Sequence, residues 1–134
     1  MCKKKFVLKL KTRYAETDQM GVIHHGSYAT YLELARIEWL RSLGLSYAEL
    51  EKQGILLPVL SLSIEYNHPL YFDDVIEVEI CMDQEPSSII DFSYSIYNHD
   101  KTLCTTAKTR LAFVSAETKK IMRCPEIFID ALGD

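Results

Sequence analysis

The sequence has no excess of positive charge and no long hydrophobic run, and it is low in glycine and proline. Its 15 Lys and Arg stand against 19 Asp and Glu, which gives a formal net charge of −4 at pH 7. A nucleic-acid-binding surface needs a surplus of cations to meet the phosphates, and a membrane-spanning helix needs about 20 mainly apolar residues in succession. With 5 Gly and 4 Pro in 134 residues, no segment is typical of a flexible linker or a low-complexity tract. The composition therefore predicts a folded protein with no nucleic-acid partner and no transmembrane segment.

Cysteine is also scarce, and its four copies show no pairing motif. Cys2, Cys81, Cys104 and Cys124 are widely separated and form no C-x-x-C pair. No signal peptide precedes the first strand-like segment. Because disulfides are rare in a reducing cytoplasm, we expect four free thiols and a cytoplasmic location.

The apolar part of the sequence is large enough for one substantial core. Hydrophobic residues make up 48% of the 134 residues, and a chain of this length is the usual size of one domain. We therefore expect a single domain over residues 1–134.

Hydrophobic periodicity predicts one long helix in the first half of the chain. Residues 5–14 alternate apolar and basic side chains, as a half-buried strand does. Ser27 can cap a helix that runs to about Leu43 and stops at Gly44, and Ser46 can cap a shorter helix after it. The long helix is predicted to bury one stripe, formed by Tyr28, Tyr31, Leu32, Ala35, Trp39 and Leu43.

The second half of the chain has the pattern of an antiparallel sheet. Strands are predicted at residues 60–67, 75–84, 89–97 and 102–115, with a turn at 98–101 and a small helix at 127–132. Pro58 would interrupt a ladder, so the first of these strands begins after it. Consecutive strands that follow a long helix predict an α+β fold in which the sheet wraps the helix.

The loop between residues 14 and 28 holds the residues that best indicate a function. It brings one carboxylate, Asp18, and two imidazoles, His24 and His25, to the start of the long helix. The first N–H groups of a helix lack partners within it and carry partial positive charge, so a carbonyl oxygen is stabilised there. An acid beside such a cradle suggests acyl chemistry. Adjacent histidines project in different directions and no third ligand lies at a suitable spacing, so no metal site is predicted.

Three segments together resemble one enzyme family. Residues 13–28, 33–41 and 64–74 are similar in order and spacing to hotdog-fold acyl-CoA thioesterases of the 4-hydroxybenzoyl-CoA thioesterase class, most closely its YbgC-like branch. The resemblance implies a five-stranded antiparallel sheet wrapped around one long central helix. It also implies a homodimer or homotetramer whose subunits pair to form the active site between them.

The resemblance gives roles to three residues of the loop. Asp18 matches the family's catalytic acid, and His25 lies at the helix-entry position whose backbone N–H polarises the thioester carbonyl. Tyr14 matches an aromatic residue beside the acid, whereas His24 receives no family role. These roles imply hydrolysis of an acyl-CoA to a free acid and coenzyme A without a cofactor, with Asp18 as nucleophile or general base.

Alternatives to a thioesterase are weighed on the same residues. A non-catalytic hotdog module could bind acyl-CoA or an acyl carrier protein, but it would not need a carboxylate aimed at the helix start. A hydratase or dehydratase would need a catalytic histidine paired with an acid in another arrangement. Lys108 and Arg110 share one face of a predicted strand, so either could meet a phosphate of coenzyme A.

Overall fold

The computed structural model describes residues 2–133, so the outer limits of the predicted domain, residues 1 and 134, lie outside the described part of the chain. The strands are β1 (Lys3–Lys11), β2 (Ile55–Leu56), β3 (Val59–Tyr66), β4 (Val75–Met82), β5 (Ile89–Tyr97), β6 (Leu103–Ala112) and β7 (Val114–Ser115). The helices are α1 (His25–Ser42), α2 (Tyr47–Lys52) and α3 (Glu126–Leu132). Five strands form one antiparallel sheet in the spatial order β1, β4, β5, β6, β3, and β2 pairs with β7.

Helix α1 packs on this sheet through the predicted aromatic stripe. Tyr28, Tyr31 and Trp39 are at most 2% exposed. The Trp39 ring packs edge-on against Phe92 of β5, with 4.9 Å between ring centroids, and its Nε1 donates a hydrogen bond to the Lys4 carbonyl at 2.6 Å. The indole is therefore buried with its polar N–H satisfied. The predicted α+β architecture, one long helix against a five-stranded antiparallel sheet, is confirmed.

The sheet turns one face toward the helix and the other toward solvent. In β5 every second residue is buried, and the same alternation runs through most of β4 and β6. Because side chains alternate across a strand, the buried set forms one continuous apolar layer beneath α1. The inward positions of these strands are Ile76, Val78, Ile80, Met82, Ile90, Phe92, Tyr94, Ile96, Ala107 and Leu111.

The two edges of the sheet differ in chemistry. Edge strand β1 carries lysines, and Lys5 and Lys9 form ion pairs with Glu79 and Glu77 of β4. Charged edges discourage pairing with another chain. Edge strand β3 instead exposes four large apolar side chains, Val59, Leu60, Leu62 and Tyr66, at 45%, 52%, 45% and 42% of their surface.

Several predicted boundaries shift in the structure. Strand β1 ends at Lys11 rather than Tyr14, because the chain then enters a single 3₁₀ turn, Tyr14–Glu16. Strand β4 ends at Met82, and the predicted strand 102–115 is divided into β6 and β7. Strand β3 begins directly after Pro58, as expected, and β5 has the predicted bounds. Within residues 2–133, no helix is long and apolar enough to cross a membrane.

The expectation of four free thiols is wrong for two of the cysteines. Cys2 and Cys81 form a disulfide across the edge of the sheet, with Cα atoms 5.4 Å apart, whereas Cys104 and Cys124 are free. The pairing arises because β1 lies beside β4, where Lys3 pairs with Met82. A separation of 79 residues in sequence gave no sign of this proximity. The cytoplasmic location stays a prediction. It was argued from four free thiols, and only Cys104 and Cys124 are free.

Candidate active site

Asp18 lies in a tight turn between β1 and α1. Its Oδ1 accepts hydrogen bonds from the backbone N–H groups of Met20 at 2.8 Å and Val22 at 3.2 Å. Gly21 has φ 79°, a left-handed conformation that glycine adopts without steric cost. The Asp18 side chain is exposed, and its Oδ2 has no hydrogen-bond partner among residues 2–133. The turn therefore holds one carboxylate oxygen in place and leaves the other open.

The entrance of α1 leaves one backbone donor available. His25 is the first residue of this 18-residue helix, and its N–H has no acceptor in the described part of the chain. The next two N–H groups are taken, because Gly26 donates to His24 Nδ1 at 2.9 Å and Ser27 donates to the His24 carbonyl at 2.9 Å. The helix thus presents the His25 N–H at its electropositive end.

The residue that caps α1 differs from the predicted one. His24, which sequence reasoning left without a role, has extended backbone and accepts from Gly26 as the N-cap. Ser27 lies inside the helix, where its hydroxyl donates to the Glu16 carbonyl at 3.1 Å. The better capping residue type is therefore engaged elsewhere, and the helix starts three residues earlier than predicted.

A shallow depression of about 210 Å³ opens beside the helix entrance. The His25 imidazole stacks on the Tyr66 ring of β3 at 4.3 Å, and Tyr28 meets the same ring edge-on at 4.8 Å. Burial raises the pKa of Tyr28, so its phenol stays neutral. The lining residues are Val22, Ile23, His25, Tyr28, Tyr66, Asn67, His68 and Pro69. Val22 joins this depression to the Asp18 turn, because its N–H is one of the two donors to Asp18.

Tyr14 lies on another side of the turn. It is 76% exposed, and its ring packs edge-on against Phe72 with 5.5 Å between centroids. Phe72 is itself tied to the turn, because its N–H donates to the Gly21 carbonyl at 3.2 Å. Tyr14 is not among the residues that line the depression, and within residues 2–133 it forms no hydrogen bond with the Asp18 carboxylate.

One functional candidate escaped sequence reasoning altogether. Glu16 is 8% exposed, and its Oε1 accepts from the Tyr31 hydroxyl at 2.7 Å and from the Arg13 N–H at 2.8 Å. Burial by itself would raise the pKa of Glu16, but the hydrogen bonds from Tyr31 and Arg13 outweigh it and hold that pKa below its ordinary value. The only signal in the sequence was an acidic residue near the turn. Acids that face solvent give the same signal, so it did not single out Glu16.

The two basic residues considered for phosphate binding point away from the helix-facing layer. Arg110 makes a two-pronged ion pair with Asp91, with Nε to Oδ1 at 2.9 Å and the second nitrogen to Oδ2 at 3.0 Å. Its guanidinium is thus already occupied. Lys108 is exposed on the same face of β6.

The family follows from comparison with known proteins. The thioesterase-like superfamily matches residues 12–132 of the chain. This protein belongs to that superfamily. Among the relatives of this chain, YneP of Bacillus subtilis, a putative acyl-CoA thioesterase, is 31% identical over 122 residues. The match covers 91% of this chain and 88% of YneP. The acyl-CoA thioester hydrolase YbgC of Shigella flexneri is 27% identical over 120 residues, 90% of either chain.

A solved structure of the superfamily shares the fold. The DHNA-CoA thioesterase of Staphylococcus aureus superposes on this chain with a TM-score of 0.88 and is 36% identical in sequence. The superposition covers 94% of this chain and 85% of the S. aureus chain. The hotdog thioesterase fold expected from the sequence is confirmed.

Proposed function

We propose that this protein, as a single hotdog domain over residues 1–134, hydrolyses an acyl-CoA thioester to a free acid and coenzyme A. Two groups in the loop that leads into α1 carry the proposal: an exposed carboxylate, Asp18, and a backbone donor, the N–H of His25. Within residues 2–133, one oxygen of the carboxylate and the His25 N–H have no hydrogen-bond partner. Membership of the thioesterase-like superfamily supports the proposal, and so do the relatives that carry thioesterase names.

The helix entrance supplies the electrophilic half of this chemistry. A thioester carbonyl oxygen gains negative charge as its carbon is attacked, and the His25 N–H at the positive end of α1 would stabilise that charge. One such donor is worth about a hundredfold to a thousandfold in rate. The donor belongs to the backbone, so replacement of the His25 side chain leaves it in place.

Asp18 supplies the other half, as nucleophile or as general base. Within residues 2–133, two N–H donors hold Oδ1 and none holds Oδ2, an arrangement that leaves one oxygen free to attack and favours the nucleophilic route. In that route Oδ2 attacks the thioester carbonyl carbon, the C–S bond breaks, and coenzyme A leaves as a thiolate. Water then hydrolyses the mixed anhydride, which releases the acid and restores Asp18. In the general-base route Asp18 accepts a proton from the water that attacks.

Tyr14 would flank the reacting acid without exchanging a proton with it. Its ring and that of Phe72 pack together beside the turn, and Phe72 bonds to Gly21 within that turn. The pair would therefore shield one side of the Asp18 loop from water and support its conformation.

A second copy of the chain would complete the site. The depression ends at Tyr66 of β3, an edge strand with an exposed apolar face and an open row of backbone groups. Such an edge favours pairing with a partner strand. We therefore propose a homodimer through β3, or a tetramer built from such dimers, in which the partner covers the depression. Light scattering should give at least twice the chain mass of 15.4 kDa, and Leu62→Lys should reduce it to the mass of one chain.

The decisive experiment measures free-thiol release from short, long and aromatic acyl-CoA thioesters and from acyl carrier protein thioesters. Asp18→Asn is the sharpest variant, because an amide oxygen can still accept from Met20 and Val22 and so keeps the turn while it removes the charge. We expect a loss in kcat of about a hundredfold to ten-thousandfold for Asp18→Asn. Binding without turnover by the unmodified protein would support a non-catalytic module, and turnover undiminished in Asp18→Asn would remove Asp18 from the chemistry.

Two further measurements separate the roles within the site. His25→Ala keeps the backbone donor and loses the stack on Tyr66, an interaction worth about 0.5 to 1.5 kcal/mol, so its kcat should fall much less than that of Asp18→Asn. An equal fall would assign chemistry to the imidazole. Turnover in ¹⁸O-labelled water, followed by mass spectrometry of the peptide that contains Asp18, should show label in the carboxylate if the anhydride forms and water attacks its aspartyl carbonyl carbon. Attack on the acyl carbon, or the general-base route, places the label in the free acid instead.

A further inference from the structure

Glu16 is a buried carboxylate within residues 14–28, the loop proposed to hold the reacting groups and called the catalytic loop below. Both of its side-chain oxygens are occupied: Oε1 accepts from Tyr31 Oη at 2.7 Å and Arg13 N at 2.8 Å, and Oε2 accepts from Arg13 Nε at 2.9 Å. Its backbone carbonyl accepts from His24 N at 2.8 Å and from the Ser27 hydroxyl at 3.1 Å. One residue thus joins the 3₁₀ turn to the entrance of α1 and to its interior.

The position of these contacts matters more than their number. His24 and Ser27 lie on either side of His25, so the Glu16 carbonyl holds the segment that presents the His25 N–H. In the other direction Glu16 is followed at once by Thr17, which forms a bridge with Ile23, and by Asp18. The two groups proposed to act on the thioester are therefore connected through Glu16.

Glu16 cannot take part in the reaction directly. It is 8% exposed, and both of its oxygens are already engaged, by three donors in all. A buried carboxylate is costly unless it is well hydrogen-bonded, and here the donors come from two separate elements, the 3₁₀ turn through Arg13 and helix α1 through Tyr31. Such a carboxylate fixes the distance between those elements.

We infer that Glu16 is a positioning residue that sets the Asp18 turn against the His25 N–H. The inference rests on the proposed thioesterase function for its catalytic consequence, but not for its structural one. Misplacement of reacting groups by about 1 Å can cost a hundredfold in rate. The loss should appear in kcat, because the groups that Glu16 places act in the transition state, whereas Glu16 itself does not line the depression proposed to receive the substrate.

The test compares three variants of similar bulk. Glu16→Gln retains the size of the side chain but turns an amide N–H₂ toward the Arg13 donor or the Tyr31 hydroxyl, and Tyr31→Phe removes one donor alone. Thr109→Val is the matched control: Thr109 is 3% exposed, and its hydroxyl lies 2.7 Å from the Tyr94 hydroxyl, within the sheet and outside the catalytic loop. All three lose a buried hydrogen bond, so all three should unfold at a lower temperature.

Only the loop variants should lose turnover. At a temperature where every variant is fully folded, we expect kcat to fall about tenfold to a hundredfold in Glu16→Gln and less in Tyr31→Phe, with KM changed by less than about threefold. Thr109→Val should keep the kcat of the unmodified protein. Equal kcat in Glu16→Gln and Thr109→Val would reduce Glu16 to a purely structural residue and overturn the inference.

A substrate-free measurement separates this inference from the proposed function. The amide of His24 donates to the Glu16 carbonyl, so its hydrogen exchange should accelerate in Glu16→Gln while the amides of β5 and β6 stay protected. Unchanged exchange at His24 would contradict the inference whether or not the protein is a thioesterase. Faster exchange with no turnover in the unmodified protein would uphold the role of Glu16 in the loop and reject the proposed reaction.

Discussion

His24 and Gly26 should be energetically coupled, because the His24 side chain caps α1 by accepting a hydrogen bond from the Gly26 N–H. The Gly26 N–H donates to His24 Nδ1 at 2.9 Å. In His24→Ala this N–H loses its partner at the helix start, and loss of an N-cap costs about 1 kcal/mol. For a chain of this size we expect the melting temperature to fall by about 4 °C.

Gly26→Ala tests the same contact from the other side. A Cβ at Gly26 would lie 3.0 Å from His24 Nδ1 and 3.2 Å from His24 Cε1, which is tighter than ordinary contact, so the imidazole must shift and the capping hydrogen bond is weakened. Alanine gains up to about 1 kcal/mol over glycine within a helix. The two effects should nearly cancel, so Gly26→Ala alone should leave the free energy of unfolding almost unchanged.

The coupling appears in the double variant. In the His24→Ala background no imidazole remains to clash with, so Gly26→Ala should then stabilise the protein by its helix propensity. A double-mutant cycle by urea unfolding should give an interaction energy of about 1 kcal/mol. His24→Asn should keep the stability of the unmodified protein, because an Asn oxygen is a favoured N-cap acceptor. Additive effects within about 0.3 kcal/mol, or a destabilised His24→Asn, would refute the assignment of His24 as the cap.

Three further outcomes are expected. Thiol titration of the denatured, unreduced protein should find two reactive thiols, from Cys104 and Cys124, and four after reduction. Folding lowers the pKa of Glu16 from its ordinary value of 4.5, so the stability that Glu16 contributes should be complete above about pH 4.5 and lost as the pH falls through the folded-state pKa. Urea unfolding midpoints measured against pH should show this loss, and the pH dependence should be weaker in Glu16→Gln. Trp39→Phe should cost about 2 to 3 kcal/mol by urea unfolding, because it opens space in the core and leaves the Lys4 carbonyl without its donor.

Much of the architecture follows from local pattern. The stripe from Tyr28 to Trp39 recurs at helical spacing and is buried in the structure, and the alternation in residues 89–97 predicts β5 with its observed bounds. Periodicity succeeds in these segments because the side chains that face the core are set by the geometry of a single helix or strand. The turn that holds Asp18 before the long helix also follows from local signals, namely glycine, an acid and a helix start, whereas its catalytic role stays a prediction.

The errors fall where a distant residue competes for a local group. Ser27 is the better capping residue by type, but the Glu16 carbonyl takes its hydroxyl, and His24 becomes the cap. Cys2 and Cys81 meet only because β1 pairs with β4. In both cases the partner of a residue depends on which strand or turn of the folded chain lies next to it. The pattern of residues along the sequence does not contain that spatial proximity.

Sequence alone therefore determined the fold class, the long buried helix and the loop that holds Asp18 and His25, since each depends on residues close together in the chain. Tertiary structure decided which donors and acceptors of that loop are used and which stay open. Among residues 2–133, Asp18 Oδ2 and the His25 N–H have no hydrogen-bond partner, whereas Asp18 Oδ1 accepts from Met20 and Val22 and the Gly26 N–H donates to His24. A buried or constrained polar group is paired with whatever partner the fold places beside it, so this pair could be proposed as the reactive groups only after the partners of the surrounding groups were known.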